Sequence, residues 1–126
     1  MKQNPNNGIA PLNRPLTREE ADLLRWLLEH GFPGVAEFLP QVGRLTVVGM
    51  CTCGCPTVYF ALDDIPVKRK GEKLISDHLA SVDESPVGVM VFETGGRISS
   101  LEVYSLPGSD KPFGLPAIDS IVRSDD

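Results

Sequence analysis

Apolar residues recur at helical spacing through Ala21, Leu23, Leu24, Leu27 and Leu28, a stripe of roughly 160° at about 100° per residue. Asp22, Arg25 and Glu29 fall on the opposite side, with Trp26 at the margin. Thr17 is the expected N-cap and Glu20, three residues on, completes a capping box. Leu16 is placed to staple onto Ala21, and Gly31 is the expected C-cap. A helical turn over 35–39, stopped by Pro40, follows. The period then changes to two, which predicts strands over 44–52, 57–62, 87–94 and 97–104, the last two joined by a two-residue Gly95-Gly96 turn. Residues 74–82 fit either element: Leu74, Ile75, His78, Leu79 and Val82 match a helix face, whereas the short length and Ile75 and Leu79 also suit a strand. Residues 1–13, rich in Asn and Pro, predict a flexible tail. Asp63 to Lys73 reads as a polar loop in which Lys68-Arg69-Lys70 is solvated. From Leu106 onward Phe113, Leu115, Ile118 and Ile121 stand among Pro and Gly, as in an extended segment packed on a core. The pattern predicts a single α+β domain over 14–126. An N-terminal helix, with a short second one, packs on one face of a mainly antiparallel sheet of four to five strands built from hairpins.

Several segments carry a resemblance. They are Leu16-Thr17-x-Glu19-Glu20, Cys51-x-Cys53-Gly54-Cys55-Pro56, Pro86-Val87-Gly88-Val89, Gly96-Arg97-Ile98-Ser99-x-Leu101-Glu102-Val103-Tyr104 and a late Leu115-Pro116. In that order, over roughly residues 14–122, the chain resembles a family of small bacterial proteins of unknown function. The resemblance implies a strand at 74–82 and no established activity.

Composition narrows the function classes. The chain has 126 residues, 41% hydrophobic and 23% charged, enough to bury a core without disulfides or metal. A net charge of −5 argues against nucleic acid and against anionic membranes as partners. Residues 1–16 have no apolar core of the kind a secretory leader needs. Leu45 to Leu62 is 18 residues without a charge, yet Gly49, Gly54 and Pro56 interrupt it, so two strands and a turn are expected there rather than a membrane span. Three cysteines inside five residues are not a secreted disulfide framework and point to the cytoplasm.

The cysteines admit three readings. With Gly54-Cys55 as a two-residue turn, Cys53 pairs with Pro56, Cys51 with Val58 and Gly49 with Phe60. Cys51 and Cys53 then share a face about 6.6 Å apart along the strand. They can be small packing residues, or a strained, readily reduced thiol pair. They can also be three ligands of a zinc ion whose fourth would be His78 or His30 folding back. His30, at a helix end, is otherwise explained by the helix dipole.

Pairing across Gly95-Gly96 sets Met90 against Leu101 and Phe92 against Ser99 on the expected core face. Val91 then meets Ser100, Val89 meets Glu102 and Val87 meets Tyr104 on the other. Glu102 among valines beside Tyr104 is either a carboxyl with a raised pKa or a solvent-facing residue. Asp63-Asp64 reads as solvated. No nucleophile, metalloprotease or phosphate-loop motif is present. The expected function is a non-enzymatic binding or interaction module without a cofactor, using Glu102, Tyr104 and Val89. The alternative is a thiol- or zinc-dependent protein using Cys51, Cys53, Cys55 and His78. Apolar residues on both sheet faces predict that the Val87, Val89, Val91 and Tyr104 face is shared with a second copy in a homodimer, or with another protein.

Overall fold

In a computed structural model, which describes residues 8–109 and 111–122, the chain enters as strand β1 (Ile9–Pro15) and passes into helix α1 (Arg18–Glu29). A 3-10 segment, Val35–Arg44, leads to β2 (Leu45–Cys51), β3 (Val58–Leu62) and the short β4 (Ile65–Pro66). Three longer strands follow, β5 (Lys73–Val82), β6 (Ser85–Thr94) and β7 (Arg97–Ser105), and then a 3-10 turn at Ile118–Ser120. The strands form one seven-stranded sheet, order β1-β2-β3-β7-β6-β5, with β4 paired to β3 and every pairing antiparallel. No described helix is long and apolar enough to cross a membrane.

The capping box forms as expected. The Glu20 N–H donates to Thr17 Oγ1 at 3.0 Å, and the Thr17 N–H donates to Glu20 Oε1 at 2.8 Å. Arg14 of β1 adds a two-pronged pair to the Glu20 carboxylate, both contacts 2.9 Å. Burial raises the Glu20 pKa, but the Arg14 guanidinium and the Thr17 N–H outweigh it and hold the carboxyl below its ordinary value. The leucine stripe does what its spacing predicts: Leu23, Leu24, Leu27 and Leu28 are buried. The helix ends on His30 rather than on Gly31. Gly31 is needed for a different reason. A Cβ there would stand 2.6 Å from the Ile75 carbonyl oxygen, at the point where the Phe32 N–H bonds Ile75 and ties the helix exit to β5. The second helix is longer than expected and runs through Pro40 as a 3-10 segment. A 3-10 helix places fewer demands on that position than an α-helix, whose i−4 carbonyl the ring would strike.

Residues 74–82 are a strand. The expected tail is corrected over residues 9–13, which belong to β1; residues 1–7 lie outside the described ones. β1 is an edge strand, where Pro11 and Pro15 cost no ladder bond and discourage further pairing.

The face assignment is also corrected. Thr94 pairs with Arg97 across Gly95-Gly96, both glycines at positive φ, as expected of a two-residue turn. A bulge at Ser99 then shifts the register by one, so that Val91 meets Leu101, Val89 meets Val103 and Met90 meets Glu102. Because side chains alternate, that shift moves the β6 valines to the opposite side from the one expected. Val87, Val89 and Val91 are 2%, 0% and 0% exposed and join the helix leucines in the core. The surface expected to meet a second copy through Val89 is therefore covered by this chain's own helix. The other face carries Cys51, Tyr59, Met90, Glu102 and Tyr104, and among the described residues α1 does not lie over it.

The open sheet face and the cysteine turn as a candidate site

The Cys51–Thr57 connection is wider than a two-residue turn. An irregularity at Val48 lets Gly49 face Tyr59 and Met50 face Val58, one position off the expected register. The Cys51 N–H closes the loop on the Thr57 carbonyl at 3.1 Å. Gly54 takes φ +103°, which a side chain tolerates poorly, and a Cβ there would also meet Pro112 at 3.0 Å. The C-terminal segment is latched against this point by the Phe113 N–H, 3.1 Å from the Gly54 carbonyl.

This geometry folds the turn back on itself. Cys51 and Cys53 are not spread along a strand: their sulfurs are 2.7 Å apart, and Cys53 and Cys55 are 2.9 Å apart. All three Sγ lie within 4.8 Å of one another. Three sulfurs each about 2.3 Å from one ion stand about 4 Å apart, so neighbouring sulfurs here would have to spread by about 1 Å to surround a single ion. Two backbone donors face it, the Cys53 N–H toward Cys51 Sγ (3.3 Å) and the Cys55 N–H toward Cys53 Sγ (3.4 Å). The neighbouring sulfurs do not titrate alike. Burial first, and then Cys53, push the Cys51 thiol up to about 12. At Cys53 the hydrogen bonds from Cys51 and Cys55 outweigh the effect of burial and lower the pKa. Cys53 is exposed, while Cys51 and Cys55 are half-buried.

The sulfurs open onto the uncovered face of the sheet. Cys51 and Cys55 border a shallow hollow of about 440 Å³ with Thr57, Tyr59, Met90, Glu102 and Tyr104. A second hollow of about 240 Å³ joins Cys53 and Cys55 to Tyr104, Lys111 and Phe113. Thr57 anchors the floor: its hydroxyl donates to the Val103 carbonyl at 3.1 Å and accepts the Val103 N–H at 2.9 Å. The Arg69 guanidinium stacks 4.2 Å from the Tyr59 ring centre, so the basic loop is partly tied to the sheet rather than wholly solvated. Burial, and then the Glu102 charge, push the Tyr59 hydroxyl up to about 12.

Of the residues singled out from sequence, Cys51, Cys53, Cys55, Glu102 and Tyr104 come together here. Glu102 is half-buried and its carboxylate accepts the Ser100 hydroxyl at 2.8 Å; its neighbours are Met90 and Thr57, not the valines. Val89 is in the core and does not reach the site. Nor does His78, which pairs with Val89 on the helix side and meets Trp26 edge-on at 5.2 Å. Burial, and then the nearby His30, lower its pKa. His30 stacks on the same indole at 3.9 Å and donates to the Trp26 carbonyl. Neither histidine is a ligand of the cysteine cluster. Asp63 forms a two-pronged pair with Arg44 and, with Asp64, makes a turn at positive φ. Thr57, Tyr59, Met90 and Lys111 were not expected at the site. Thr57 reads from sequence only as the first residue of a strand, and the three-dimensional pairing alone brings β6 beside it.

Comparison with protein-family models, with curated proteins and with solved structures returned no match.

Proposed function

We propose that this protein is a small non-enzymatic binding module whose working element is the Cys51-Cys53-Cys55 turn, and that the turn holds one thiophilic metal ion at the rim of the open sheet face. The observation that carries this reading is the convergence of three sulfurs within 4.8 Å of one another from a five-residue turn. Side chains that only pack would not need to aim three polarizable sulfurs at one point while half-exposed; buried cysteines pack as small hydrophobes among apolar neighbours. Backbone N–H groups directed at Cys51 and Cys53 favour sulfur that carries negative charge, as a metal ligand does. The hollow beside the cluster leaves the ion accessible to whatever exchanges with it or docks on it.

Cadmium, added to reduced protein, is a suitable probe of soft thiolate sites. One equivalent should bind with a sulfur-to-metal absorption band, and Cys51→Ser, Cys53→Ser and Cys55→Ser should each diminish the band. A thiol switch is the second reading, favoured by the 2.7 Å separation of the Cys51 and Cys53 sulfurs. Absence of cadmium binding, together with reversible loss of two thiols under mild oxidant, would select it.

A further inference from the structure

The metal reading leaves open which ion the turn is built for, and the donor set answers this. Zinc in protein sites takes four ligands when the site is structural, or three with an open position, and it draws on imidazole and carboxylate as readily as on thiolate. Among the described residues no imidazole or carboxylate joins the three sulfurs. The chain has two histidines, and both are committed to Trp26 on the helix side of the sheet. Glu102 borders the hollow, but it lies outside the sulfur group and its carboxylate already accepts the Ser100 hydroxyl. Among the described residues the remaining neighbours of the sulfurs are hydroxyl, aromatic, thioether and ammonium groups, and Met90 is three strands away from Cys51 across the sheet.

Resting on the metal-binding reading, we propose that the Cys51-Cys53-Cys55 turn is a three-coordinate, all-sulfur site for copper(I) rather than an incomplete zinc site. Copper(I) is soft, prefers thiolate and is satisfied by three sulfurs. Zinc at the same place would find no fourth ligand among the described residues. All three donors come from one short turn that is half-exposed at one end of the sheet. The ion can therefore enter and leave without the core opening, which suits a carrier or sensor of the ion better than a structural staple. On binding, each thiol gives its proton to solvent and a sulfur lone pair to the metal, and the copper stays in the +1 state. Excess negative charge on the cluster faces the Cys53 and Cys55 N–H groups and Lys111, which lines the hollow beside Cys53.

The test is an anaerobic titration of the reduced full chain with copper(I) supplied as its acetonitrile complex, followed by X-ray absorption at the copper edge and a parallel titration with zinc. The expected result is one copper per chain with three sulfur neighbours and no nitrogen or oxygen neighbour. Cys53→Ser should lower the copper affinity by more than about a hundredfold, beyond what losing a hydrogen bond to a ligand costs, while His78→Ala leaves it unchanged. Circular dichroism on both variants separates ligand loss from misfolding. If a variant fails to fold, the sulfur count on the wild type decides alone. A fourth donor around copper, only two sulfurs, or zinc held by the three sulfurs plus a nitrogen or oxygen ligand at comparable affinity would overturn the copper assignment while keeping a metal site. Binding of no metal at all would instead remove the metal-binding reading beneath it.

Discussion

The two faces of the sheet do opposite things with their apolar side chains. On the covered face Val87, Val89, Val91, Leu101 and Val103 meet four helix leucines, and all are buried. On the open face Tyr59, Met90 and Phe92 are half-buried and Tyr104 is 40% exposed, spaced out by Ser100 and Glu102. The first face is tolerant of chemistry only if it stays apolar and of the right volume. The second places polar, thiol and aromatic groups at the same depth, in reach of solvent. Stability is concentrated on one side of the sheet, and the candidate site occupies the other.

Adjacent residues of β6 give the largest contrast. Val89→Lys puts an unpaired charge where nothing can solvate it and should unfold the protein. Met90→Lys, one residue on and facing the hollow, should stay folded, within about 1 kcal/mol of wild type. Urea unfolding followed by circular dichroism separates them; the opposite order, with Met90→Lys unfolded and Val89→Lys folded, would mean that the faces have been assigned the wrong way round.

Next in size is the tie that holds the helix onto the covered face. Glu20→Gln removes the two-pronged pair with Arg14 and should cost about 2 kcal/mol at neutral pH. The sign of its pH dependence follows from the carboxyl's lowered pKa. The contribution is fully present above the ordinary value of 4.5 and is lost as pH falls through the lower folded value. Wild type and variant should therefore converge in acid. A gap that persists or widens there would assign the loss to packing instead. Thr17→Ala, at the other half of the capping box, should cost about 1 kcal/mol, read as a lower urea midpoint.

The smallest effect belongs to the open face. A Cβ at Gly88 would run into the Tyr104 ring, which lies across that glycine. Because the obstacle is the end of a mobile side chain, Gly88→Ala should displace the ring at a cost of no more than about 1 kcal/mol. The same change in a Tyr104→Ala background should cost less. Equal costs in both backgrounds would show that the ring does not pack on Gly88.

Legibility in the sequence followed the same division. The helix was readable because capping box, leucine spacing and first-turn acids all agree. Gly95-Gly96 was readable because both positions take positive φ and glycine does so freely. The turn at Asp83-Glu84 has the same backbone, but non-glycine residues conceal it, and with it the hairpin that makes 74–82 a strand. β1 was hidden because an edge strand with two prolines has no alternation to read. The inverted face came from one extra residue, Ser99, since a bulge leaves no compositional mark and reverses everything beyond it. The cysteine turn was legible as a set of residues but not as a cluster. Strand geometry spreads Cys51 and Cys53 apart, and only the wide loop with Gly54 at positive φ brings their sulfurs together.

That cluster is the central claim, and its most direct test is a count of reactive thiols before and after metal. A disulfide reagent applied to the reduced native protein should titrate the cysteines when no metal is present. With one equivalent of cadmium bound, all three should become unreactive together, and all three should return when a chelator removes the ion. Shielding of fewer than three thiols, or continued reaction of all three in excess cadmium, would contradict the account.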